Sequence, residues 1–177
     1  MSSLNDRVAV ITGGTCGVGR GVARALAREG ARVYITGRSV PDGATGDGLT
    51  GIRCDHREET DVVTAFARVT QEAGGIDILV NNVWGGYERM IDNGVFTWSK
   101  PFWEQPVWRW DAMFSAGVRA HYRASQGGRR SGRRSQGHGP YGNRAGRRKP
   151  RARIRLHRYR RKGPASAHAR RCLSEYR

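Results

Sequence analysis

Apolar runs recur at regular intervals up to about residue 122 and then almost vanish. Val8-Ala-Val-Ile11 is an unbroken apolar run ended by a threonine and glycines, the pattern of a strand buried on both faces. From Gly19 to Arg28, Val22, Leu26 and the alanines return at helical spacing, and Gly30 supplies the stop. Ala31-Arg-Val-Tyr-Ile-Thr36 predicts a second strand, completing a β-α-β unit. Residues 39–50 carry turn residues and little to bury, which predicts a loop. Gly51–Cys54 then predicts a short third strand, and Glu58 to Ala73 an amphipathic helix with Val62, Val63, Phe66 and Val69 inward. Ile76–Val80 predicts a fourth strand, and Trp108 to Tyr122 a helix whose apolar face is Trp110, Met113, Phe114 and Val118. Strands alternating with helices predict an α/β fold, a Rossmann-type doubly wound parallel sheet.

Charge sharpens the division. The formal net charge is +17, but residues 1–122 hold 13 Lys+Arg against 14 Asp+Glu, a net of −1, whereas residues 123–177 hold 19 against 1, a net of +18. Only Ile154, Leu156 and Leu173 are large aliphatics in that second part. So polar a tract buries too little to offset its ordering entropy, which predicts a truncated sheet followed by a disordered basic tail. The domain expectation is therefore a partial Rossmann-like unit over 1–122 and an arginine- and glycine-rich tail over 123–177. The tail's charge opens an alternative function, non-specific nucleic-acid binding through phosphates, with Tyr141, Tyr159 and Tyr176 stacking on bases. A shift of reading frame near codon 123 also accounts for the abrupt change, because shifted GC-rich codons yield Arg, Gly, Ala, Pro and Ser.

Cys16, Cys54 and Cys172 form no C-x-x-C pair, so neither a disulfide framework nor a metal site is indicated. The first residues lack the basic and apolar regions of a signal peptide, and no apolar run reaches the roughly 18 residues of a membrane span. The expectation is a soluble, cytoplasmic chain with no membrane partner.

Chemistry concentrates in Thr12-Gly13-Gly-Thr15-Cys16-Gly17-Val18-Gly19, between the first strand and the first helix. Glycines there let the backbone turn tightly and approach an anion, and the helix start offers unpaired N–H groups and the positive end of its dipole. The spacing T-G-x-x-x-G-x-G resembles the cofactor turn of the short-chain dehydrogenase/reductase family, classical type. Asn81-Asn82-Val83-Trp84-Gly85 after the fourth strand resembles that family's Asn-Asn-Ala-Gly segment with the alanine enlarged and one residue inserted. Lys100-Pro-Phe-Trp-Glu-Gln-Pro106 is similar to the mammalian family-member-1 subgroup. The likeness covers about residues 7–122. It implies an NAD(P)-dependent oxidoreductase acting on a small-molecule carbonyl or alcohol, and homo-oligomers that this chain would only partly support.

Carried over residue by residue, the resemblance puts Gly13, Thr15, Gly17, Val18 and Gly19 at a pyrophosphate. It puts Asp55, after the third strand, at the adenine amino group, and Asn82 beside the cofactor. Asp55 also suits a helix N-cap. Thr36-Gly37-Arg38 ends the second strand without a carboxylate, so Arg38 favours a 2′-phosphate and NADP over NAD. Cys16 stands where many NADP users carry a second basic residue. The position matching the family's relay asparagine is Ser115. No catalytic residue is assigned: the family needs Tyr-x-x-x-Lys, and Tyr122, Tyr141 and Tyr159 are followed at that spacing by Gln126, Ala145 and Gly163. The aromatic stretch from Tyr87 to Trp110 is a candidate pocket wall or packing face.

Overall fold

The computed structural model describes residues 3–85, 91–92 and 95–132. Tyr87 and the tract 133–177, on which the expectations of disorder and nucleic-acid binding rest, lie outside the described residues. Strand β1 (Val8–Thr12) is central, paired in parallel with β2 (Arg32–Gly37) on one side and β5 (Ile78–Val80) on the other. Beyond β2 lies β4 (Thr50–Arg53), also parallel, and β3 (Gly43–Ala44) closes that edge antiparallel, giving the order β3-β4-β2-β1-β5. A hairpin of β6 (Ile91–Asp92) and β7 (Val95–Phe96) stands apart from the sheet.

Every residue of β1 is buried because helices cover both faces. Ala9 and Ile11 meet helix α1 (Gly17–Arg28) together with Ala23, Val33 and Ile35. Val8 and Val10 point the other way, into a cluster with Tyr34, Ile52 and the inward face of helix α2 (Glu59–Ala73), namely Val62, Phe66 and Val69. The alternation along β1 thus assigns each side chain to one of two cores. Helix α2 ends at Gly74, left-handed at φ 74°, whose N–H donates to Thr70 O at 2.8 Å.

Residues 39–50 are more than a loop. Val40 and Leu49 are buried in the α1 core, and Thr45 N–H donates to Leu49 O at 2.8 Å to set up the β3–β4 hairpin. Asp47 in its turn takes hydrogen bonds from Arg20 at 2.7 Å and Arg24 at 2.9 Å, tying the hairpin to α1. Two apolar residues among turn formers were enough to anchor the segment.

The last helical stretch departs furthest from its pattern. It runs as α3 (Val107–Met113), a π-helical stretch Phe114–Arg119 and α4 (Ala120–Arg130). Trp110, Phe114 and Val118, expected to face inward, are exposed. On α3 the buried residue is Arg109, and from residue 114 on the buried side is a stripe of small residues, Ala116, Gly117, Ala120 and Ala124. Helix α4 also passes the expected boundary at residue 122. Arg123 pairs with Glu59 on α2, and a Cβ added at Gly127 or Gly128 would press on Phe66 at 3.0 Å or Leu79 at 2.9 Å. The large apolar surface at this interface belongs to α2 and β5, so the helix needs only small residues to complete it. At its end Ser131 O accepts from Ile76 N–H at 2.9 Å, and Gly132 forms a parallel bridge with Ile76.

Candidate functional site

A cleft of about 330 Å³ opens at the carboxyl ends of β1, β2 and β4. Five short segments build it: the turn after β1, the end of β2, the β4–α2 turn, the chain leaving β5, and Ala116 of the π-helical stretch. The first turn is shaped by Gly13 and Gly17, with φ of 65° and 56°, in the left-handed region that glycine tolerates. Helix α1 starts directly at Gly17, and Cys16 before it is extended and makes no side-chain cap. The N–H groups of its first turn are therefore not taken up by a capping side chain.

Asn82 and Thr12 fix this turn. Asn82 Nδ2 donates to Gly13 O at 2.9 Å, and Thr12 Oγ1 accepts from the N–H of Asn82 at 2.9 Å. Gly19 is buried within the first turn of α1, where a Cβ would collide with the Gly13 carbonyl and the Asn82 amide. Gly37 at the end of β2 likewise leaves room for Thr15, since a Cβ there would lie 2.8 Å from Thr15 Oγ1. His121 Nε2 donates to Val83 O at 2.7 Å, joining α4 to the segment after β5.

At the far wall Asp55 follows β4. Arg57 grips its carboxylate with Nε to Oδ1 at 3.0 Å and Nη2 to Oδ2 at 2.6 Å, and Arg57 N–H donates to Oδ1 at 3.0 Å. These hydrogen bonds hold Asp55 below the usual carboxylate range against the opposing effect of burial, with a further contribution from Arg38. Asp55 makes a local Asx turn here rather than a helix cap: the N-cap of α2 is Glu58, with no side-chain cap bond. His56 is 4% exposed; its Nε2 lies 2.7 Å from Thr36 Oγ1, and its Nδ1 is buried with no hydrogen-bond partner. Burial drives its pKa down to about 4, so the ring is neutral at pH 7. Cys54 beside it is pushed up to about 12, first by burial and then by Asp61 and Asp55.

Of the residues expected at a cofactor, Gly13, Thr15, Gly17, Val18, Arg38, Asp55 and Asn82 line this one cleft, and Gly19 packs behind it. Cys16 of the glycine turn lines it as well, together with Ser39, His56, Arg57, Trp84 and Ala116, to which the sequence assigned no role. The available signal was position: Asp55-His-Arg57 follows a parallel strand directly, and doubly wound sheets bind ligands outside the carboxyl ends of their strands. Ser115 falls within the π-helical stretch beside Ala116.

A mostly parallel sheet with helices on both faces, and a glycine turn leading into a helix at its carboxyl edge, defines an α/β protein of the Rossmann type. The chain belongs to the short-chain dehydrogenase family of oxidoreductases, whose sequence model matches residues 7–138. It is 36% identical over 136 residues to human dehydrogenase/reductase SDR family member 1, covering 72% of this chain and 42% of that protein. It is 36% identical over 103 residues to the 7alpha-hydroxysteroid dehydrogenase of Clostridium sardiniense, covering 54% of this chain and 39% of that one. Ligand-free aldohexose dehydrogenase of Thermoplasma acidophilum superposes with a TM-score of 0.60 at 25% identity, over 76% of this chain and 47% of that one. The chain thus spans less than half the length of these relatives. The family binds NAD or NADP. No described helix is long and apolar enough to cross a membrane.

Proposed function

We propose that the cleft binds a nicotinamide dinucleotide, NADP in preference to NAD. The observation that carries this reading is the convergence of the glycine turn, the α1 N-terminus and Arg38 on one cavity at the strand ends. Gly17 has nothing within 4 Å of the place a Cβ would take, so a phosphate can come up to the backbone there. In this reading Gly13, Thr15, Gly17 and Val18 hold the pyrophosphate against the helix start, with Gly19 keeping the turn closed. Arg38 pairs with the 2′-phosphate, Asp55 faces the adenine, and Asn82 keeps the turn in shape through the Gly13 carbonyl.

When bound, the nicotinamide supplies hydride transfer; the chain's part is to bind and orient. The reaction class is carbonyl reduction or alcohol oxidation on a small molecule. The described residues supply the binding half of that work. The family's Tyr-x-x-x-Lys pair is not found at Tyr122, Tyr141 or Tyr159, which are followed at that spacing by Gln126, Ala145 and Gly163. The chain as written therefore binds cofactor without turning over. A reading-frame shift is the source we propose for the missing elements, placed past α4 rather than near codon 123 because the helix and the family match continue beyond that point, and resequencing the coding DNA in three frames tests it.

Isothermal titration with NADPH and NADH, followed by a rate measurement with a panel of carbonyls, tests the function. We expect saturable binding, tighter for NADPH, and no cofactor oxidation. Absence of binding to either dinucleotide overturns the cofactor reading, and a fast rate overturns the incompleteness.

A further inference from the structure

We propose that Arg57 is a second cation for the 2′-phosphate, a specificity-determining residue supplied by the β4–α2 turn in place of the missing basic residue of the glycine turn. The inference rests on the cofactor reading above and goes beyond it in naming a residue that neither the glycine motif nor the end of β2 contains. A phosphate monoester carries close to two negative charges at neutral pH. Arg38 alone leaves part of that uncompensated, and the glycine-turn position that could have helped is Cys16.

Arg57 lines the same wall as Arg38, Ser39 and Asp55. Its side chain is not loose: Asp55 engages it at 2.6 and 3.0 Å, and its own N–H donates to the same carboxylate. That two-point grip fixes the guanidinium plane, which lowers the entropy lost when an anion binds. Arg57 pairs directly with Asp55 and Arg38 adds a weaker electrostatic pull on the same carboxylate, so the cleft carries two guanidiniums against one aspartate here, net positive. Asp55 thereby gains a positioning role, orienting Arg57, in addition to any contact with the base. The Arg57 side chain is 49% exposed, so replacing it leaves the core untouched.

The test uses the full chain and two nucleotides that carry the same charge, adenosine 2′,5′-bisphosphate and its 3′,5′ isomer. Attraction to the basic residues elsewhere in the chain is equal for the two and cancels in their ratio. The unaltered chain is expected to prefer the 2′,5′ isomer, and Arg57→Leu to lose roughly ten-fold of that preference, the size expected for one charge-assisted contact. Arg57→Lys, which keeps the charge and loses the planar fork, is expected to fall between. Melting curves should coincide for all three. If Arg38→Leu abolishes the preference while Arg57→Leu and Arg57→Lys leave it whole, the role of Arg57 is overturned and the NADP reading stands. If the unaltered chain does not distinguish the isomers, the NADP reading falls and the role of Arg57 falls with it.

Discussion

Gly17 and Gly19 sit two residues apart and have opposite requirements, which makes them a sharp test at the scale of single residues. Gly17→Ala meets open space but forces a side chain into the left-handed region, at a cost of about 1–2 kcal/mol. Gly19→Ala drives a methyl into the Gly13 carbonyl and the Asn82 amide, and should cost about 1–3 kcal/mol as overpacking. Thermal melts should rank Gly19→Ala at or below Gly17→Ala, and both should weaken nucleotide binding. His56 predicts a pH effect. Its folded pKa of about 4 lies below the ordinary histidine value of 6.5 because burial penalises the charged ring, with Asp55 and Asp61 pulling it up and His121 pulling it down. Its contribution is therefore whole above pH 6.5 and is lost as the pH falls towards 4, by about 3 kcal/mol in all. Denaturant midpoints of His56→Gln should lack that part of the acid slope. Gly13 and Gly17 were legible in the sequence because a turn with positive φ leaves few alternatives. Arg57 was legible only as a residue at the carboxyl end of a strand, because the orientation of its guanidinium follows from a side-chain pairing with Asp55 that spacing does not encode.

At the scale of elements, the strands and the first two helices fell within one or two residues of their predicted bounds; on α2 Val62, Phe66 and Val69 face inward as expected, whereas Val63, expected with them, is exposed. The last helix departed further. Its Trp110, Phe114 and Val118 read as a core stripe, yet the surface that packs is Ala116, Gly117, Ala120, Ala124 and the two glycines after it. Small residues carry little periodic signal, and arginines among them make the stretch look like tail. The boundary can be tested by truncation. A chain ended after Gly132 keeps every described contact and should melt with the full chain. One ended after Tyr122 uncovers Phe66 and Leu79 and should lose roughly 2–3 kcal/mol, the value of one large apolar side chain returned to water.

Across the whole molecule, the described surface is unusual for its exposed aromatic and aliphatic residues along one side of α3 and α4. Val107, Trp110, Phe114, Val118 and Tyr122 are all exposed and spaced at three to four residues, and Trp110 stacks on Phe114 with centroids 4.1 Å apart. Contiguous apolar surface of this kind promotes association. Sedimentation should show mass increasing with concentration, and Phe114→Glu with Val118→Glu should suppress it without lowering the melting temperature. The fold class was legible from the strand and helix alternation because a parallel sheet is local in construction, each strand following its helix. The direction in which α3 and α4 face was not, because it depends on what lies across from them. The cleft has a consequence of a different kind. All of its walls come from residues 13–116, so during synthesis they emerge from the ribosome before the rest of the chain. A nucleotide that binds only the folded form would then stabilise the nascent sheet by mass action, acting as a ligand chaperone for a chain still being made.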